Sequence, residues 1–152
     1  MRRLAGLTLV AAAMVGGPVQ SAAREPRFVV LPVAEVERAY AHVPSLGDPY
    51  WRPTADEVNL ARRGLAAYLR RSGVEGATAI ADKLGGYALQ FAGVEGPDGR
   101  PLMVINAFCH PENHPDWRTT WVGVDDGGDC YFEAYWERDT RRFRGVSING
   151  IA

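Results

Sequence analysis

Apolar positions from residue 54 onward recur first at helical spacing and then at strand spacing. Val58, Ala61, Leu65, Tyr68 and Leu69 fall on one face of a 3.6-residue repeat. Thr54-Ala55-Asp56-Glu57 opens this stretch as a capping box, in which hydroxyl and carboxylate each satisfy a backbone N–H that the first turn leaves free. Acids sit at its start and Arg70 and Arg71 at its end, the arrangement the helix dipole favours, and Gly73 supplies a stop. The pattern predicts an amphipathic helix over Thr54–Ser72.

Beyond the helix the period falls to two. Tyr87–Val94 and Pro101–Phe108 flank a turn rich in Gly, Pro and Asp, and read as an antiparallel hairpin. Thr119–Val124 and Cys130–Arg138 flank Asp125-Asp126-Gly127-Gly128-Asp129 as a second pair, and Arg142–Asn149 follows as a last strand. Along Cys130–Arg138, Cys130, Phe132, Ala134 and Trp136 share one face, while Tyr131, Glu133, Tyr135 and Glu137 share the other. Such alternation describes a sheet with one dry and one partly wet face, and the helix stripe is the natural cover for the dry one. The expected fold is α+β: one main amphipathic helix packed on an antiparallel sheet of about five strands.

Residues 24–53 are different. Pro26, Pro32, Pro44 and Pro53 interrupt a short apolar run, Phe28–Leu31, and a short helical stretch, Ala34–His42, so this segment reads as a lead-in draped on a single domain over 54–152. Residues 1–23 have the three regions of a secretory signal in order: Arg2-Arg3, the uncharged Leu4–Val15, and a small-residue end at Ser21-Ala22-Ala23. Cleavage is expected after Ala23. The apolar run is shorter than the roughly 20 residues a spanning helix needs, which argues against a permanent membrane anchor.

The chain has 152 residues, 47% hydrophobic and 23% charged, values of an ordinary globular domain large enough to bury a core. Its 17 basic and 18 acidic residues nearly cancel, and loss of the leader removes Arg2 and Arg3 and no acid. A nucleic-acid partner, which needs concentrated positive charge, is therefore not expected.

Cys109 and Cys130 are the two cysteines of the chain, and in an exported protein they most simply pair. The strand assignment opposes this, since in an up-down-up meander with Thr119–Val124 as a strand the two would lie on the order of 20 Å apart, beyond disulfide reach. Either the loop His110–Arg118 carries the chain back across the sheet or the thiols stay separate; the length of that loop favours the bridge.

The stretch from Cys109 to Asp116 gathers the most potential metal ligands, with His110 and His114 the candidates for zinc or copper. Pro111 and Pro115 prevent the helix that would set both histidines on one face, so a solvated loop competes with this reading. Asp125, Asp126 and Asp129 do not match a calcium loop, since Cys130 and Trp136 would occupy its sixth and twelfth positions. No catalytic residues are assigned: the serines lack a nucleophile-elbow context, and no phosphate-binding or dinucleotide motif occurs, so no cofactor is expected. Glu133 and Glu137 lie about 13 Å apart at strand rise, too far for a glycosidase pair, and read as solvated surface. Tyr131 and Tyr135 on the outer face, joined by Trp117 or Trp121 near the loop, are the candidate binding patch, because such side chains give contact area at low entropic cost.

Three stretches carry a resemblance. Tyr50-Trp51-Arg52-Pro53-Thr54, Val104-Ile105-Asn106-Ala107-Phe108-Cys109, and Asp125 to Phe132 with the closing Ile148-Asn149-Gly150-Ile151-Ala152 resemble a family of small, uncharacterised bacterial exported proteins. The resemblance implies the helix-then-sheet order and no activity. The expected product is a periplasmic or secreted binding or interaction module, for a small ligand or an envelope protein; the alternative is a small metal-dependent or hydrolytic enzyme using the 109–116 loop.

Overall fold

A computed structural model describes residues 27–150; the expected leader lies outside them. In chain order the elements are β1 (Phe28–Val30), α1 (Val33–Tyr40), β2 (Gly47–Trp51), α2 (Ala55–Arg71), α3 (Ala77–Lys83), β3 (Ala88–Glu95), β4 (Pro101–Phe108), β5 (Tyr131–Glu137) and β6 (Arg142–Ile148). Strands β3 to β6 form an antiparallel meander. On the free side of β3, β1 pairs parallel with Leu89–Phe91, and β2 pairs antiparallel farther along, Trp51 opposite Gly93. A Cβ at Gly93 would stand 2.2 Å from the Trp51 carbonyl oxygen, so glycine is what lets β2 approach. The α+β class holds, but with three helices and a mixed sheet of six strands where one main helix and about five antiparallel strands were expected. The added strands belong to the lead-in, which enters the sheet instead of lying on it.

The long helix forms as its sequence dictates. Thr54 Oγ1 accepts from the Glu57 N–H at 3.3 Å, and the Glu57 carboxylate accepts from the Thr54 N–H at 2.8 Å. Val58, Ala61, Leu65 and Leu69 are buried on its inner stripe. With Ala77 and Ile80 of α3 they cover one face of the sheet, packing on Phe91, Met103, Ile105, Phe132, Ala134 and Trp136. The second face is covered in two parts. Leu31 and, from α1, Val36 and Tyr40 pack on Ala92, Val94, Leu102 and Val104, while Trp117 and Val122 lie against Ala88 and Phe108.

The strand expected at Thr119–Val124 does not form. Its residues belong to one long connection, 109–130, that leaves β4, lies on the second face and returns to β5 at the same end. Phe108 pairs directly with Tyr131, which brings the Cα atoms of Cys109 and Cys130 to 5.1 Å, and the two sulfurs are bonded. The apparent conflict came from counting one strand too many: removing it reverses the direction of everything after it, and both cysteines fall at one end of the sheet. Trp121 and Val122 look like strand residues because they must face the core, yet their backbone bonds go to side chains. Before β5 the loop turns through Gly127, at φ 117°, where a Cβ would meet the Tyr131 ring at 2.5 Å.

Candidate functional site

One polar row crosses the second face. Gln90 on β3 stands opposite Asn106 on β4, Asn106 opposite Glu133 on β5, and Glu133 opposite Ser147 on β6. The first two are structural. Gln90 Nε2 donates to the carbonyls of Trp117 and, at 2.7 Å, Thr120, while its Oε1 accepts from Asn106 Nδ2 at 3.0 Å and the Val122 N–H at 2.9 Å. Asn106 Nδ2 also donates to the Val122 carbonyl at 2.7 Å. Buried amides spent in this way hold the 117–122 backbone on the sheet.

The row then opens. Glu133 accepts a 2.6 Å hydrogen bond from the Tyr135 hydroxyl, and the buried Tyr40 hydroxyl lies near enough to interact with the same carboxylate without reaching full hydrogen-bond geometry. Burial pushes the Glu133 carboxyl above its ordinary range, and the tyrosine hydroxyls only partly offset this. Burial, followed by the Glu133 charge, in turn holds the Tyr135 and Tyr40 hydroxyls firmly protonated.

Beside Tyr135 is an open pocket of about 340 Å³ walled by Leu46, Leu102, Tyr135 and Gly145, with Asp98 and Arg144 at its rim. The rim charges are internally matched. Arg144 contacts Asp98 at 2.8 Å and Glu137 at 3.0 Å, and Arg100 reaches the other Glu137 oxygen at 3.1 Å. Two guanidiniums and two carboxylates cancel, leaving a pocket suited to neutral groups. Glu137, read from sequence as solvated, has no exposed side-chain surface: the two arginines enclose it.

The four aromatic candidates fall into separate places. Tyr135 walls the pocket just described. Trp117 is nearly buried, 5.8 Å edge-on to Phe108, and Trp121 packs edge-on to Tyr40 at 5.0 Å. Both border a second hollow of about 250 Å³ with His114. Tyr131 lies beneath Gly127, its hydroxyl 3.0 Å from His114 Nε2. The two histidines also part company: His114 is engaged by Tyr131 and Phe108, while His110 is exposed and its Nδ1 lies 2.9 Å from Glu112. The ligand-type group found among the described residues is Cys109, His110 and Cys130, with one ligand atom from each within 4.8 Å of the others.

Gln90, Asn106, Glu133 and Arg144 were missed as a group. A signal existed in two of them: Gln90 and Asn106 are single amides in otherwise apolar strands, and the hairpin register puts both on one face. Glu133 gave none, because alternation alone cannot distinguish a wet carboxylate from one that Tyr40 of α1 helps to enclose. Comparison with protein-family models, with curated proteins and with solved structures gives no match to this chain.

Proposed function

We propose that the protein is an exported binding module that takes a small neutral, partly aromatic ligand in the pocket beside Tyr135. The observation that carries this reading is the pairing of an apolar pocket with a charge-balanced rim: Tyr135, Leu46 and Leu102 offer contact area, and Asp98 and Arg144 are already matched to each other and to their neighbours. Behind the pocket wall, Glu133, its carboxyl raised by burial, accepts from the Tyr135 hydroxyl and so orients the ring that faces the ligand. Export is supported by the leader-like residues 1–23 and by the Cys109–Cys130 bridge, which suits a periplasmic or secreted setting. Among the described residues no helix is long and apolar enough to cross a membrane.

The test is a heteronuclear NMR titration with phenols and indoles of graded size, on protein recovered from the envelope fraction and expected to begin at Arg24. Shifts should concentrate at Leu46, Leu102, Tyr135 and Gly145, and Tyr135→Ala should weaken binding about tenfold while the protein stays folded. Shifts spread evenly over the surface, or undiminished binding by Tyr135→Ala, reject the pocket.

A further inference from the structure

The disulfide has a third partner. Cys109 ends β4, Cys130 precedes β5, and His110 follows Cys109, so that one potential ligand atom of each lies within 4.8 Å of the other two. The histidine ring is anchored from behind: its Nδ1 lies 2.9 Å from a Glu112 carboxylate oxygen, which leaves Nε2 as the ring nitrogen not engaged by Glu112. A carboxylate behind a histidine in this way fixes the tautomer and raises the ring's basicity in zinc sites. The imidazole is exposed and both cysteines are part-exposed, so an ion and a reductant have access.

The backbone around the site is also held by bonds other than the sulfur–sulfur bond. The Cys109 N–H donates to the Cys130 carbonyl at 3.1 Å, Phe108 pairs with Tyr131, the Tyr87 hydroxyl donates to the Asp129 carbonyl at 2.7 Å, and the Gly128 N–H donates to the Gly150 carbonyl at 2.9 Å. Breaking the bridge leaves two thiols held side by side next to an oriented imidazole. We propose that Cys109, Cys130 and His110 form a redox-gated zinc site, closed as the disulfide and opened by a dithiol reductant. In the opening step the reductant's two thiols become a disulfide, the Cys109–Cys130 bond breaks, and the two protons pass to the cysteine sulfurs. Binding one zinc ion releases those two protons as the thiolates form, giving two sulfur ligands and one nitrogen, with the fourth position for water.

Cobalt(II), a spectroscopic stand-in for zinc, reads the ligands directly. The full mature protein is reduced with a phosphine, freed of it, and titrated with cobalt and then with zinc, beside the oxidised protein and His110→Ala. The reduced protein is expected to bind one equivalent with sulfur-to-cobalt charge-transfer absorption that zinc abolishes, while its near-ultraviolet circular dichroism stays that of a folded chain. The oxidised protein is expected to show no such band, and His110→Ala to bind about tenfold more weakly or worse. A reduced protein with no thiolate band, a His110→Ala variant that binds equally well, or loss of tertiary signal on reduction each overturns the proposal.

Discussion

Under α2 and α3, Phe91, Met103, Ile105, Phe132 and Trp136 meet Leu65, Leu69 and Ile80, apolar against apolar. On the opposite face Gln90 and Asn106 occupy equally buried positions and make five hydrogen bonds, four of them to the backbone of residues 117–122. The contrast comes from what each cover does with its own peptide groups. A helix satisfies them internally, so the sheet beneath need only be apolar and well shaped. A loop without regular structure turns carbonyls and N–H groups inward, and each left unpaired costs about 1–3 kcal/mol, so the sheet beneath must supply partners. Glutamine and asparagine serve because each amide offers donors and an acceptor together. Non-directional burial holds one face, and directional bonds fix the register of the other.

The largest expected effect breaks the helical face. Trp136 is 1% exposed and has no role in the pocket or the loop, so Trp136→Ala removes apolar contact alone and is expected to cost about 3–5 kcal/mol of global stability in urea unfolding. A cost below about 1 kcal/mol would mean that this face collapses around the cavity and does not dominate the core. The loop face should fail differently. Gln90→Leu keeps the volume but leaves the Val122 N–H and the Trp117 and Thr120 carbonyls without their partner, at an expected cost of about 3 kcal/mol. Hydrogen exchange sharpens the comparison: the Val122 amide should lose protection by much more than the amides of α2. Equal loss at both sites would show that the two covers unfold as one unit and that the amide row has no local task.

How much of this was legible tracks the same division. The helix over Thr54–Ser72 is found as α2 with its capping box formed, and the Tyr87–Val94 and Pro101–Phe108 hairpin as β3 and β4 within a residue, because their local pattern and their tertiary burial agree. The 109–130 connection was misread where those two disagree: Trp117, Trp121 and Val122 turn inward like residues of a regular element, while the partners of their backbone include Gln90, Asn106 and Glu35, distant in sequence. The strands β1 and β2 were hidden for another reason. At three and five residues, the second containing Pro49, they are too short to show alternation, and only the unpaired edge of β3 defines them. Helix α3, at seven residues, was overlooked behind Gly73 and Gly76, which mark a break in the chain but not the kind of element beyond it. Among the site residues, Tyr135 was legible from strand parity. Glu133 was not, since its enclosure depends on Tyr40, in a helix far earlier in the chain.

The smallest effect lies at the open end of the polar row, where the two faces differ in how they treat a carboxylate. Glu57, at the start of α2, loses solvent, but the Thr54 backbone and hydroxyl and the Arg138 guanidinium outweigh that loss and keep its carboxyl below the ordinary range; its stabilisation is present above the ordinary value of 4.5 and fades as pH falls through the lowered one. Glu133 is shifted the opposite way: burial dominates, the folded protein keeps the proton where the unfolded chain has released it, and the resulting stabilisation is complete below pH 4.5 and lost as pH rises through the raised folded value. Glu133→Gln cannot ionise and still offers an oxygen to the Tyr135 hydroxyl. The variant should therefore gain on the native protein between acid and mildly alkaline pH, by a fraction of the Gln90→Leu effect, in paired urea titrations run at about pH 4.5 and about pH 8. A difference between the two proteins that stays constant across that interval would mean that Glu133 is hydrated as freely as an open-surface carboxylate, and the second face would then have no buried acid behind the pocket wall.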